Sequence, residues 1–338
     1  MAERIETDVA IIGAGPAGLF AVFECGMLRM KCVVIDALEA IGGQCAALYP
    51  EKPIFDIPAH PSIEGQGLIN LLEQQAAPFA PAYLLGRRVE TLAKQEDGCF
   101  LLGTSAGDEI LAKAVLIAAG AGAFGPIRPP LEGLESYEAS GAVRYLVTKK
   151  EEFRGKRLVI AGGGDSAVDW ALSLKDVASK VYFVHRRDKF RAAPETVAQL
   201  WAAAEAGQVE MVLPYQLKGL EGDGGTLTGV TVATLKGEER VLAADYLMAF
   251  FGLSTELGPI AEWGFGLDRG RIEVNQTTLE TSVPGIFAVG DVAVYPGKLK
   301  LILQAFSEGA MAAHAIHPIV FPGQALHFEH STTRGVPG

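Results

Sequence analysis

Residues 42 to 52, GGQCAALYPEK, place a thiol at Cys45 and a phenol at Tyr49 just behind a Gly-Gly-Gln turn. A cysteine there can exchange with a disulfide or be oxidised, and a tyrosine ring can lie flat on another aromatic system. The dithiol route needs a second cysteine, and the other three, Cys25, Cys32 and Cys99, form no CxxC pair. Farther along, HRRDKFRA (185 to 192) gathers Arg186, Arg187 and Arg191, whose forked guanidiniums suit a phosphate. Gly290-Asp291 closes an apolar run, and EHSTTRG near the end carries His330 and Thr332. The pairs His314/His317 and His327/His330 have i,i+3 spacing without a third ligand, so no metal site is expected.

Two elements of one kind must position these groups. VAIIGAGPAGLFAVFECG (9 to 26) reads as apolar strand, GxGxxG turn and apolar helix, and LVIAGGGDSAVDWALSL (158 to 174) repeats it with alanine at the last position. Gly13, Gly15 and Gly18, and then Gly162 and Gly164, let the backbone approach a pyrophosphate at the positive end of a helix. The strands that follow separate the two sites. Asp36 follows Gly13 by 23 residues, where a carboxylate accepts hydrogen bonds from an unphosphorylated ribose, as in FAD. The same offset from Gly162 reaches His185, and the three arginines behind it suit a 2′-phosphate, so NADPH is expected there.

The chain thus reads as α/β, with two Rossmann-like dinucleotide-binding domains. TSVPGIFAVGDVA (281 to 293) is a strand running into Gly290-Asp291, and LKLILQAFSEGAMAAHAIH (299 to 317) is a helix. With flavin-type elements at both ends, the NADPH domain is an insertion. Residues 1–122 and 251–338 are expected to form the FAD domain and 123–250 the NADPH domain, with glycine- and proline-rich crossings near 118–130 and 248–259.

Composition agrees with such a globule. A chain of 338 residues, 49% hydrophobic and 20% charged, can bury two cores, and its 40 glycines cluster after apolar strands. No apolar run approaches the roughly 20 residues of a membrane span, and MAERIETD lacks the pattern of a signal peptide, so a cytoplasmic protein with reduced thiols is expected. The net charge of −11 argues against nucleic acid or anionic lipid as a partner.

GAGPAG, GGGDSA, HRRDKFRA and AVGD together resemble the low-molecular-weight thioredoxin reductase superfamily across essentially the whole chain. Within it, GGQCAALYPEKPIFDIP, GAGAFGPI, YPGKLKLIL and HSTTRGVPG are similar to ferredoxin–NADP reductases of the thioredoxin-reductase type. The resemblance implies FAD contacts from Asp36, Gln44, Tyr49, Val89, Phe124, Asp291 and Thr332, with Gly13, Gly15 and Gly18 lining the pyrophosphate. It implies Tyr49 on one flavin face, His330 from a C-terminal tail on the other, a homodimer, and electron transfer between NADPH and ferredoxin or flavodoxin.

Thioredoxin reductases carry CxxC where this chain has SGAVRYLVTKKEEF (140 to 153), without cysteine. Glutathione-reductase-like enzymes use cysteines five apart, and Cys45 would pair with Pro50. Cys45 is therefore expected to pack beside the flavin. Two alternatives stand: a disulfide or peroxide reductase working through Cys45 alone, and a flavin-binding redox sensor that does not turn over. For an acidic ferredoxin, Lys298, Lys300 and Arg334 form a candidate basic docking patch.

Overall fold

The computed structural model describes residues 4–223, 225–324, 326 and 335. It divides into one unit made of Met1–Phe124 and Thr255–Gly338, and a second made of Gly125–Ser254. Among the described residues the α-helices are α1 (Pro16–Met27), α2 (Gly43–Leu48), α3 (Gly65–Ala76), α4 (Leu134–Ala139), α5 (Asp165–Leu174), α6 (Pro194–Glu205) and α7 (Ile302–Val320). No helix among the described residues is long and apolar enough to cross a membrane.

The first unit is built on β1 (Arg4–Ile12), which pairs in parallel with β2 (Cys32–Ile35) on one side and with the strand Glu109–Ile117 on the other. Strand Ala82–Leu84 extends the sheet beyond β2. On the edge away from β1, Glu109–Ile117 serves two more partners: its beginning pairs antiparallel with Phe100–Thr104, and its end pairs in parallel with Ile286–Ala288. The C-terminal segment is therefore a component of the same sheet as the N-terminal one.

Both faces of this sheet are covered, which is why β1 ends in the unbroken apolar run Val9–Ile12. Val9 and Ile11 join Val34, Leu116 and Phe287 in one cluster with residues of α1 and α7. Ala10 and Ile12 point the other way, into a cluster with Ile35, Ile117, Phe100 and Phe265.

The C-terminal helix, expected over 299–317, runs over Ile302–Val320 and contains Pro318. A proline inside a helix costs about 3 kcal/mol. Ile316 and Val320 are 0% and 3% exposed, and burial of each contributes roughly 1.5–3 kcal/mol, enough to hold the last turn in place.

The second unit has a five-stranded parallel sheet in the order Val143–Arg144, Tyr246–Phe250, Arg157–Gly162, Lys180–Val184, Glu210–Val212. Ile160 lies between Phe183 and Met248 in register. A three-stranded antiparallel sheet, Gln216–Asp223, Thr226–Ala233 and Glu239–Ala243, completes it. Leu134, Val159, Val184, Val230 and Leu247 share one buried cluster that joins the two sheets. Each unit thus contains a strand, a glycine turn and a helix, the interrupted two-Rossmann architecture that the motifs imply.

Candidate functional site

In the first unit the glycine turn lies at the C-terminal end of β1, the usual ligand edge of a parallel α/β sheet. Gly13 has φ +114°, and a Cβ there would lie 2.3 Å from the Ala118 carbonyl oxygen. A Cβ on Gly18 would lie 1.9 Å from the Gly13 carbonyl oxygen, so helix and strand approach closely only through these glycines. Gly15 differs: a Cβ there would meet nothing nearer than the Gly43 Cα at 3.9 Å. Gly15 caps α1 without any side-chain hydrogen bond, and the first turn of α1 contains no acidic residue. The free N–H groups and the open space at that helix end fit a pyrophosphate.

Asp36 follows β2 and fixes the turn from the other side. Its Oδ2 accepts from the Ala14 amide at 2.6 Å and its Oδ1 from the Leu38 amide at 2.8 Å. Burial raises its pKa, while those two amides pull it down. Each carboxylate oxygen keeps a lone pair for a ribose hydroxyl.

The Gly-Gly-Gln turn packs directly onto this loop. The Gly42 amide donates to the Ala14 carbonyl at 2.9 Å, and a Cβ on Gly43 would come within 3.0 Å of the Gly15 Cα. Gln44 begins beside it on α2, its amide nitrogen 3.7 Å from the position of a Cβ on Gly120. Cys45 is 2% exposed, and its thiol donates to the Tyr49 hydroxyl at 3.5 Å. Burial pushes the Cys45 thiol up, with the Tyr49 hydrogen bond opposing, and burial likewise holds the Tyr49 phenol above its ordinary value, with the negative charge of Asp291 raising both. Both groups are thus neutral, and Asp291 is near enough to be felt by each.

Asp291 sits in the turn Gly290–Val292. Gly290 has φ +75°, and a Cβ on it would stand 3.4 Å from the Ala17 Cβ and 3.7 Å from the Ala305 Cβ, so the turn lies between α1 and α7. Val89 opens the strand Val89–Lys94 of the first unit's sheet and is buried, sharing the cluster of Ile12 and Ile35. Phe124 belongs to the strand Ala123–Pro126. His330, Thr332 and Arg334, like His327, lie outside the described residues.

Behind the Gly290–Asp291 turn is a cluster that motif reading did not find. Glu308, on α7, is 1% exposed; its Oε2 accepts from the Gly290 amide at 2.7 Å, and its Oε1 accepts from the Tyr295 hydroxyl at 2.6 Å and from the Lys298 ammonium. Gln304 donates to the Tyr295 hydroxyl at 2.8 Å. Burial, then Glu308, pushes the Tyr295 phenol up to about 12, so it remains a donor. This corrects the docking patch: the Lys298 side chain is 4% exposed and its charge is matched by Glu308, while Lys300 is exposed. A signal was available, because Glu308 is the lone carboxylate in the apolar run LILQAFSEGAMAAHAIH.

In the second unit a Cβ on Gly162 would lie 2.7 Å from the Phe250 carbonyl oxygen, whereas Gly164, capping α5, faces open space within 4 Å. Asp165, in that first turn, is turned aside, its Oδ1 accepting from the Ala193 amide at 2.9 Å. The arginine segment is tied to the turn, since the Arg191 amide donates to the Gly163 carbonyl at 2.8 Å. Arg186, Arg187 and Arg191 are exposed, and none makes an ion pair with a described residue. His185 fits against Gly163, where a Cβ would fall 2.3 Å from its Cε1, and stacks on Phe190 at 5.4 Å. Burial, followed by repulsion from the three arginines, holds His185 below its ordinary pKa, against a hydrogen bond to the Lys189 backbone. Among the described residues no three histidine, cysteine or acidic side chains are grouped to hold a metal. His317 is buried in α7 with Nδ1 unpaired.

The pyridine nucleotide-disulphide oxidoreductase family matches residues 7–309. Over 99% of its length the chain is 68% identical to a ferredoxin–NADP reductase of Granulibacter bethesdensis, covering 95% of that protein. Over 99% it is 64% identical to a ferredoxin–NADP reductase of Gluconobacter oxydans, covering 98%. Among solved structures it is similar to the thioredoxin reductase of Lactococcus lactis, with a TM-score of 0.79 and 27% identity, over 93% of this chain and 99% of that one.

Proposed function

Because the chain belongs to the pyridine nucleotide-disulphide oxidoreductase family, we propose that it is a ferredoxin–NADP reductase: a flavoprotein that moves electrons between NADPH and ferredoxin, or flavodoxin, through FAD. The observation that carries this reading is the pair of open glycine turns whose neighbouring strands end differently, one in the carboxylate of Asp36 and one in exposed arginines that form no ion pair with a described residue. A carboxylate there suits a bare ribose and arginines suit a 2′-phosphate, so the first unit takes FAD and the second NADPH.

When bound, FAD supplies a centre that accepts a hydride and releases electrons singly. The protein's own work is to hold and orient. Gly13, Gly15 and Gly18 with the open end of α1 receive the pyrophosphate, Asp36 the ribose, and Gln44, Val89, Phe124, Asp291 and Thr332 contact the rest. Tyr49, its phenol neutral, would hold the isoalloxazine by stacking, and the resemblance gives His330 the opposite face. Gly162 and Gly164 receive the NADPH pyrophosphate, and Arg186, Arg187 and Arg191 its 2′-phosphate. The roles of His330 and Thr332 rest on the resemblance alone. So does the homodimer, in which the tail reaches the partner's flavin. Four free cysteines accord with a cytoplasmic protein.

Cys45 favours this reading over a disulfide or peroxide reductase. A buried thiol whose pKa is raised forms little thiolate, and no second cysteine follows within the GGQCAALYP segment. The test is NADPH turnover with ferredoxin, flavodoxin and thioredoxin as acceptors. Sustained turnover with the first or second and none with thioredoxin is expected. Reduction of thioredoxin, or a single bleaching of the flavin followed by a stall with every acceptor, defeats the proposal.

A further inference from the structure

The segment from Gly290 to Leu301 has little regular structure, only the turn Gly290–Val292 and the two-residue strand Ala293–Val294, yet it carries Asp291 and leads into α7. One carboxylate holds it at three points. Glu308 accepts from the Gly290 amide at its start, the Tyr295 hydroxyl in its middle and the Lys298 ammonium toward its end. The ammonium also lies 5.6 Å from the centre of the Tyr295 ring. Neither charge reaches water: the side chains are 4% and 1% exposed.

We infer that Lys298 and Glu308 are positioning residues for the flavin, a neutral internal ion pair that fixes the Asp291 turn and balances the charge behind it. The inference rests on the proposed contact between Asp291 and FAD. A buried pair is silent as long as both members are present, but removing one leaves an uncompensated charge in a medium that screens poorly. Reduction places negative charge on the flavin. A lone Glu308 carboxylate therefore opposes reduction, and a lone Lys298 ammonium assists it. A purely structural clamp has no such sign: loss of either member would loosen the turn in the same way.

The experiment measures the midpoint potential of the bound flavin, with FAD affinity and flavin absorbance, in the wild type and in Lys298→Met, Glu308→Gln and the double variant. Lys298→Met is expected to lower the potential, Glu308→Gln to raise it, and the double variant to return it close to the wild-type value. FAD affinity should fall about tenfold or more in each single variant and recover in part in the double. Lys298→Arg keeps the charge and should keep the potential. Single variants that shift the potential in the same direction, or leave it unmoved while FAD stays bound, overturn the inference. Should Glu308→Gln not fold, equal potentials in Lys298→Met and Lys298→Arg overturn it. A wild-type chain that binds no FAD defeats the functional reading itself, a distinguishable result.

Discussion

A thiol that is 2% exposed and hydrogen-bonded to a phenol is poorly placed for redox work, whereas the phenol's ring is suited to stacking. Cys45→Ser preserves size and the hydrogen bond to Tyr49, so ferredoxin-linked turnover should stay within about twofold of wild type. On the proposed role of Tyr49, Tyr49→Ala would remove a stacking contact of roughly 0.5–1.5 kcal/mol beyond its area, and FAD affinity, followed by flavin fluorescence, should fall several-fold. A Cys45→Ser variant that keeps FAD but loses all turnover would transfer the chemistry to the thiol. At this scale the sequence was legible where the determinants are local: Asp36, Gly13 and Gly15 fall within one strand-turn-helix-strand unit. It was not legible for Lys298, whose exposure depends on Glu308 arriving from the next helix to take its charge.

The second glycine turn and the strand Lys180–Val184 act together, because the Arg191 amide binds the Gly163 carbonyl and His185 lies on that glycine. Replacing Arg186 and Arg187 with alanine should weaken NADPH by about tenfold per charge-assisted contact and leave NADH nearly unaffected, as measured by titration. Equal losses for both nucleotides would remove the 2′-phosphate assignment. His185 adds a pH dependence. Folding depresses its pKa below the ordinary 6.5, so the unfolded chain binds the proton first. Its contribution to stability is intact above pH 6.5 and is lost as pH falls through the folded value. Urea midpoints should therefore drop less between pH 7 and 5 in His185→Gln than in wild type; parallel profiles would show that His185 does not titrate differently on folding. Motif reading located this turn because glycine spacing marks it. It left the antiparallel sheet Gln216–Ala243 undescribed, since Thr226–Ala233 finds its partners on two strands that carry no motif.

The two units differ in how the chain builds them, and this sets what can be separated. The first needs both ends of the sequence: Ile286–Ala288 pairs with Glu109–Ile117, and Ile316 and Val320 of α7 fill the cluster under β1. A fragment ending at Phe124 would keep α1 on that face but lose α7 and the strand Ile286–Ala288, losing roughly 1.5–3 kcal/mol for each large apolar side chain no longer buried, against a total stability of only about 5–15 kcal/mol. The second unit is one continuous stretch, Gly125–Ser254, with both of its sheets packed on a cluster drawn from its own residues. The interruption was readable from two glycine turns set between flavin-type ends, but this asymmetry was not, because which strands share a sheet is a non-local property. Expressed alone, residues 125–254 should fold cooperatively, bind NADP+ in preference to NAD+ through the arginine segment, and carry no flavin absorbance, while residues 1–124 alone should aggregate or remain unfolded. Thermal denaturation followed by circular dichroism, with nucleotide titration, decides it. A 125–254 fragment that melts without a transition would mean that its core needs support from the flavin unit, and an independently folded 1–124 would mean that the C-terminal strand and helix are dispensable to the sheet they complete.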